Sequence, residues 1–207
     1  VQRYDAYMAK YGFGQKTGID LAGEIEGIVP SPASKMKYAR QRWYPGDLVN
    51  SSIGQGLWKV TPLQLVRGVA AIADGGQLRR PHLVAEQRAG FAAPWAPLPQ
   101  PPAVRISDRP DHVQVVQEGM ELTTTGSGTA ARVFRGSPYR SAGKTGTAQV
   151  VNRGATAVDP RSLPLWKRHR ALYIGYAPAE APTIAVAVAV EGGGFGVGDA
   201  GEDVAGF

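Results

Sequence analysis

Residues Thr183 to Glu191 alternate bulky and small side chains without interruption: Ile184, Val186, Val188 and Val190 on one side, Ala185, Ala187 and Ala189 on the other. A period of two is the mark of a β-strand, whose successive side chains point to opposite faces. Neither face is polar, so both must be covered, and the alanine face leaves room for a closely packed helix. Ala171 to Tyr176 reads as a second strand, and Ala177-Pro-Ala-Glu-Ala-Pro182 is short enough to join the two as an antiparallel hairpin. The chain therefore requires a sheet with helices packed on it.

The 207 residues, 43% hydrophobic and 19% charged, suffice for one folded domain or a large part of a bigger one. A net charge of +6 and a pI near 9.7 come from scattered positive residues. Apart from short runs such as Lys167-Arg-His-Arg170 they describe a solvated basic surface, not a nucleic-acid or membrane face. Zero cysteines exclude a disulfide scaffold. The longest apolar run, Ile184 to Val190, is too short to span a bilayer, and no signal peptide opens the chain. Any anchor or export signal is expected outside this stretch.

Tyr4, Tyr7, Met8 and Tyr11 share one face of a helix that Gly12 would end. A start inside a helix, without Met, suggests preceding sequence. Trp43-Tyr-Pro-Gly-Asp47 reads as an aromatic anchor followed by a turn, and Ile53-Gly-Gln-Gly-Leu57 as a tight backbone turn. Thr61-Pro-Leu-Gln64 opens a helix with a capping box, Pro at the first helical position and a buried stripe of Leu65, Val66, Val69, Ala70 and Ala73, ended by Gly75-Gly76. Phe91 to Pro102 is expected to be an extended, polyproline-like loop. Asp111 is expected to cap a helix with Val113, Val116 and Met120 facing inward, and a helical turn follows around Ala130 to Phe134. Val151 to His169 reads as a loop, and Glu202 to Phe207 could begin a last helix. The three histidines, His82, His112 and His169, lack metal-ligand spacing, and surface or half-buried places are expected for them.

The chemistry gathers in Ser141-Ala-Gly-Lys-Thr-Gly-Thr-Ala-Gln-Val150. A turn-like Gly136-Ser-Pro138 precedes it and Val150-Val151 follows, so it reads as a strand. A phosphate-binding loop ending in Gly143-Lys144-Thr145 would need a Gly where Pro138 stands, and would have to open a helix. On a strand, Lys144 offers a compact cation for a carboxylate, Thr145 a short donor, and Gly146 room for another backbone to lie alongside. The Thr147 N–H could point at a developing oxyanion. Alternation puts Lys144 and Gly146 on one face and Thr145 and Thr147 on the other. All four serve one cleft only along a free strand edge or where the strand twists, and the strand is expected at the sheet's edge with these N–H groups unpaired by protein.

Taken in order, Gly12-Phe-Gly with Thr17-Gly-Ile-Asp-Leu, Trp43 through Asp47, Ile53-Gly-Gln-Gly, Thr61-Pro-Leu-Gln, Gly128-Thr-Ala and Lys144-Thr-Gly-Thr-Ala-Gln resemble the transpeptidase domain of class B penicillin-binding proteins. The Trp-x-x-Gly-Asp followed by Ile-Gly-Gln-Gly-Leu-Trp58 favours the elongation type over the division type. The likeness runs from about Tyr11 to Gly196. It implies a mixed α/β fold, an antiparallel sheet with helices on both faces. It also implies peptidoglycan cross-linking, in which a Ser attacks a D-Ala-D-Ala stem peptide and is acylated by β-lactams. By the same resemblance, Lys144 and Thr145 hold the substrate carboxylate, Gly146 admits the peptide, and Thr147 gives its N–H to the oxyanion hole and its hydroxyl to the ligand. No cofactor or metal is implied. The implied partners are the stem peptide and an elongation-machinery glycosyltransferase, on the periplasmic side of the inner membrane.

The family's nucleophile sits in Ser-x-x-Lys and is followed by Ser-x-Asn, which occurs nowhere here. Two Ser-x-x-Lys strings exist, Ser34-Lys-Met-Lys37 and Ser141-Ala-Gly-Lys144. The first lies in a Pro-bounded polar segment without an apolar helix to bury its Ser. The second would place Ser and Lys on opposite strand faces. Neither is expected to be the nucleophile, because an acyl-transfer Ser needs a base within hydrogen-bond reach. The chain is therefore expected to be the C-terminal part of such a domain, lacking the nucleophile and inactive alone. The rival readings are a D,D-carboxypeptidase or β-lactamase, and a non-catalytic binding module.

Overall fold

The computed structural model describes residues 2–150 and 162–194. Its centre is an antiparallel sheet of β5 (Ala142–Ala148), β6 (Arg170–Ala177) and β7 (Ile184–Val190), in that order. Lys144 stands opposite Ile174 and Thr145 opposite Tyr173, while Tyr173 stands opposite Val188 on the other side. The hairpin and both strands expected from the alternation are present. Among the described residues, the Lys-Thr-Gly strand is on the edge of this sheet.

The alanine face of β7 lies under helix α4 (Pro62–Ala73), which crosses β6 and β7. Val69 joins Met120, Ala142 and Tyr176 there in one buried cluster, with Val66, Ala73, Ile174 and Ala185 against it. On the opposite face Val186, Val188 and Val190 pack with Ala130, Phe134, Ala171 and Tyr173. Phe134 ends α6 (Ala131–Phe134), the expected helical turn. Helices thus sit on both faces.

Helix α4 starts with the capping box read from Thr61-Pro-Leu-Gln64, but its burial differs from an apolar stripe. Gln64, Gly68, Val69 and Ala71 are the buried residues, whereas Leu65, Val66, Ala70 and Ala73 are only half-buried. The helix is covered on two sides, by the sheet at Val69 and by Leu78 and Ile106 at Ala71. Gln64 is buried as a bridge: its amide accepts from the Thr61 N–H at 3.0 Å and donates to the carbonyls of Gln15 and Glu26 at 2.9 and 2.8 Å.

Helix α1 (Gln2–Lys10) is followed by Gly12 at a φ of 81°. Two helices stand where the sequence reads as polar segment and turn: α2 (Pro32–Ala39) and α3 (Pro45–Ser52). Each has Pro in its first turn, pre-set for helical φ. In α3 the Asp47 carboxylate reaches back to the Tyr44 N–H at 2.6 Å, so Trp43-Tyr-Pro-Gly-Asp47 is a helix start and not a free turn. The Lys35 ammonium ties α2 to α3 through both Asp47 oxygens at 2.8 and 2.7 Å.

Helix α5 (Pro110–Thr124) begins one residue before the expected cap, with Arg109 as N-cap and Pro110 at the first position. Asp111 instead pairs with Arg109 within the first turn. Val113, Met120 and Thr124 are buried but Val116 is 44% exposed, because Gln117 takes the inward place and donates to the Ile72 carbonyl at 2.7 Å. Phe91 to Pro102 is not wholly extended loop: β2 (Glu86–Gln87) pairs with β3 (Ala96–Pro97), and β1 (Gln77–Leu78) with β4 (Val104–Arg105). His169 is buried, against expectation, and its Nδ1 accepts from the Val150 N–H. Of the expected loop Val151 to His169, residues 151–161 lie outside the described residues, and a 3-10 turn occupies Leu165–Lys167. The expected helix at Glu202 to Phe207 also lies outside them.

Candidate active site

In an antiparallel pair each residue turns both its N–H and its C=O toward one edge, and neighbours along the strand alternate. Side-chain bonds locate the free edge of β5. The Thr124 hydroxyl donates to the Ser141 carbonyl at 2.6 Å, Lys144 Nζ to the Thr145 carbonyl at 2.6 Å, and Gln55 Nε2 to the Thr147 carbonyl at 3.0 Å. Arg140 and Val150, of the other parity, bond to Ala179 and His169 on the β6 side. Odd-numbered residues therefore turn their backbone groups to the free edge, and even-numbered ones to β6. The expectation that all four N–H groups of Lys144 to Thr147 avoid the sheet is corrected: Thr145 and Thr147 direct theirs to the free edge, Lys144 and Gly146 theirs to the ladder.

The side chains follow the alternation. Lys144 leaves the sheet on the α4 face, is exposed, and curls its ammonium around the edge to the Thr145 carbonyl. Thr145 projects to the other face, where it is 9% exposed and its hydroxyl meets that of Thr129 at 3.2 Å. Gly146 and Thr147 are half-buried. A cation, two edge-directed N–H groups and a residue without side chain thus line one edge.

The glycines of β5 differ in cause. At Gly143 a Cβ would overlap the Tyr173 hydroxyl, because that ring lies across Gly143 and Gly175. At Gly146 a Cβ would meet nothing nearer than Leu172 Cβ at 3.4 Å, an ordinary contact, and its φ is not positive. Packing among the described residues explains Gly143 but does not demand Gly146. Burial, with a smaller push from Tyr139, raises the Tyr173 phenol well above its ordinary range and keeps it neutral.

Among the described residues, no hydrogen bond joins the Ser to the Lys in either Ser-x-x-Lys string. Ser34 belongs to the capping box of α2: its hydroxyl accepts from the Ser31 N–H at 2.7 Å and donates to the Val29 carbonyl at 2.9 Å. The segment is helical, unlike the reading made from its composition, yet its Lys37 lies over the Tyr38 ring, 5.0 Å from the centroid. Ser141 Oγ is buried without a hydrogen-bond partner among the described residues, on the face opposite Lys144.

Sequence reasoning missed the contact of Gln55 with β5. The residue stood out only as part of a glycine-flanked turn, and nothing local marks its partner 92 residues away.

A family profile described as "Penicillin binding protein transpeptidase domain" matches residues 1–206. The Peptidoglycan D,D-transpeptidase MrdA of Salmonella typhimurium (strain SL1344) is 32% identical over 196 residues, 94% of this chain and 32% of that protein. The MrdA of Acinetobacter baumannii is 34% identical over 200 residues, 95% of this chain and 29% of that protein. The chain thus spans about a third of the length of these curated relatives. Among solved structures, Pseudomonas aeruginosa PBP2 in complex with WCK 5153 superposes with a TM-score of 0.77 at 40% identity, covering 99% of this chain and 42% of that one. The Helicobacter pylori complex of PBP2 and MreC gives 0.79 at 30% identity, covering 99% and 34%. With its free-edge Lys-Thr-Gly strand, the chain belongs to the penicillin-binding protein transpeptidase domain family, among relatives of the PBP2 (MrdA) type.

Proposed function

We propose that these residues form one wall of the active site of a serine D,D-transpeptidase that cross-links peptidoglycan during elongation. The nucleophilic Ser then lies in sequence N-terminal to Val1. The observation that carries this reading is the convergence on one edge of β5 of the Lys144 ammonium and the Thr145 and Thr147 backbone groups, with Gly146 between them. An extended stem peptide adds along that edge as an extra strand. Lys144 draws its terminal carboxylate, helped by Thr145, and the Thr147 N–H steadies the oxyanion while its hydroxyl contacts the ligand.

In the reaction, the Ser Oγ–carbonyl carbon bond forms as the D-Ala-D-Ala C–N bond breaks, and the hydroxyl proton leaves on the departing D-Ala amine. An acceptor amine then forms a new C–N bond, the ester C–O bond breaks, and the amine's proton returns to the Ser. A β-lactam acylates the same Ser. The names of relatives support this reading: two are D,D-transpeptidases, and a Mycobacterium PBP3, 27% identical, is complexed with ampicillin in one structure. A glycosyltransferase of the elongation machinery is the proposed partner, consistent with a neighbour described as coordinating polymerization and crosslinking in a peptidoglycan synthase complex. The proposed location is the periplasmic side of the inner membrane, with the anchor outside this chain.

Labelling with a fluorescent penicillin tests the proposal. The 207-residue chain stays unlabelled, and the protein extended N-terminally through its Ser-x-x-Lys labels covalently. Labelling at Ser34 or Ser141 would overturn the assignment.

A further inference from the structure

The Ile53-Gly-Gln-Gly turn stays unexplained by the proposed chemistry. Its base is fixed: the Ser51 carbonyl accepts from the Tyr4 hydroxyl at 2.7 Å and from Trp58 Nε1 at 2.9 Å, and the Gln55 N–H donates to the Asn50 carbonyl at 3.0 Å. Gly54 and Gly56 take φ of 76° and 84°, left-handed values that aim the residue between them. The loop contributes little to the core, since Ile53 is 69% exposed. What it delivers is one primary amide to the free edge of β5. Gln55 Nε2 donates to the Thr147 carbonyl at 3.0 Å, and its Oε1 accepts from the Gln149 N–H at 3.4 Å.

These two bonds grip the strand immediately after Lys-Thr-Gly, on the edge where Thr145 and Thr147 present their backbone groups. Edge strands lack a second partner and twist or fray easily. A carbonyl held in place fixes the plane of its peptide, and through the strand the aim of the N–H on the same residue.

We infer that Gln55 is a positioning residue: it holds the edge at Thr147 and Gln149, so that the Thr147 N–H points where an acyl oxyanion develops. It acts through the strand, by way of the Thr147 carbonyl and the Gln149 N–H. The inference rests on the transpeptidase reading for its catalytic consequence, but the strand-holding part stands by itself. Gln55→Glu keeps an acceptor for Gln149 while turning a carboxylate oxygen against the Thr147 carbonyl, so the two halves of the grip separate.

Two measurements test it. In the 207-residue chain, the Gln149 amide exchanges with solvent about tenfold faster in Gln55→Ala than in the parent and near the parent rate in Gln55→Glu, the factor expected for one hydrogen bond. In the N-terminally extended protein, the first-order rate of acylation by a penicillin falls about tenfold in both variants, while the dissociation constant of the preceding complex changes less than about twofold. Unchanged Gln149 exchange in Gln55→Ala, or parent-like acylation in both variants, overturns the inference. A loss of affinity equal to the loss of rate also overturns it, since that marks a merely structural role. If the extended parent protein is not acylated at all, the transpeptidase reading fails, and Gln149 exchange alone decides whether Gln55 holds the strand.

Discussion

The hydroxyls of Thr129 and Thr145 meet at 3.2 Å on the face of β5 away from Lys144. This contact pins the Gly128-Thr-Ala turn after α5 to the middle residue of Lys-Thr-Gly. It holds the Thr145 side chain behind the edge, so that Thr145 meets the edge through its backbone. Thr129→Val and Thr145→Val should each lower unfolding free energy by about 1 kcal/mol, and the double variant should lose no more than either alone. Urea unfolding of the four proteins measures this coupling.

Gly143 and Gly146 should respond oppositely to a single methyl. Gly143→Ala drives a Cβ into the Tyr173 hydroxyl and should destabilise by about 3 kcal/mol. Gly146→Ala, facing only Leu172 at 3.4 Å, should change stability by less than about 0.5 kcal/mol. If a peptide adds along this edge, its cost should instead appear as slower acylation of the extended protein. Thermal melting alongside penicillin acylation separates the two effects.

The Lys35–Asp47 pair predicts a pH dependence. The hydrogen bond from Lys35, then the Tyr44 N–H, hold the Asp47 carboxyl below the usual aspartate range. A depressed carboxylate contributes stability above its unfolded value, about 3.9, and loses it as pH falls through the lower folded value. Asp47→Asn should therefore lower the melting temperature at pH 7, and the gap to the parent should shrink below about pH 3.9. Lys35→Met combined with Asp47→Leu should melt above Asp47→Asn, because no ammonium is then left buried without its partner.

Gln64 should be far more sensitive than an ordinary glutamine. Its amide serves the Thr61 N–H and two carbonyls from distant loops in a site only 1% exposed. Gln64→Ala leaves these groups unsatisfied and should cost about 3 kcal/mol, read by urea unfolding.

The parts legible in the sequence are those whose signal is local. The alternation of Ile184 to Val190 needs no partner to be read, and the box at Thr61 and Gln64 spans one turn. Helices α2 and α3, each eight residues long, carry no apolar stripe to announce them. Their support includes a Lys35–Asp47 bond between two helices, which composition cannot reveal. The strands of β2 and β3 have two residues each, too few for a period. At the site, alternation foretold that Lys144 and Thr145 part company across the sheet. Which parity of β5 faces the free edge depends on groups remote in sequence, Gln55 and Thr124 among them.

The most direct test of the proposed cleft wall is the rate at which a penicillin acylates the N-terminally extended protein, with Lys144 present or replaced by Ala. Lys144 is exposed on an edge strand, so its removal should leave the melting temperature within about 2 °C of the parent. If its ammonium holds the ligand carboxylate, Lys144→Ala lowers the acylation rate by about a hundredfold, the range of a charged hydrogen bond. An unchanged rate in a folded Lys144→Ala protein would contradict the account.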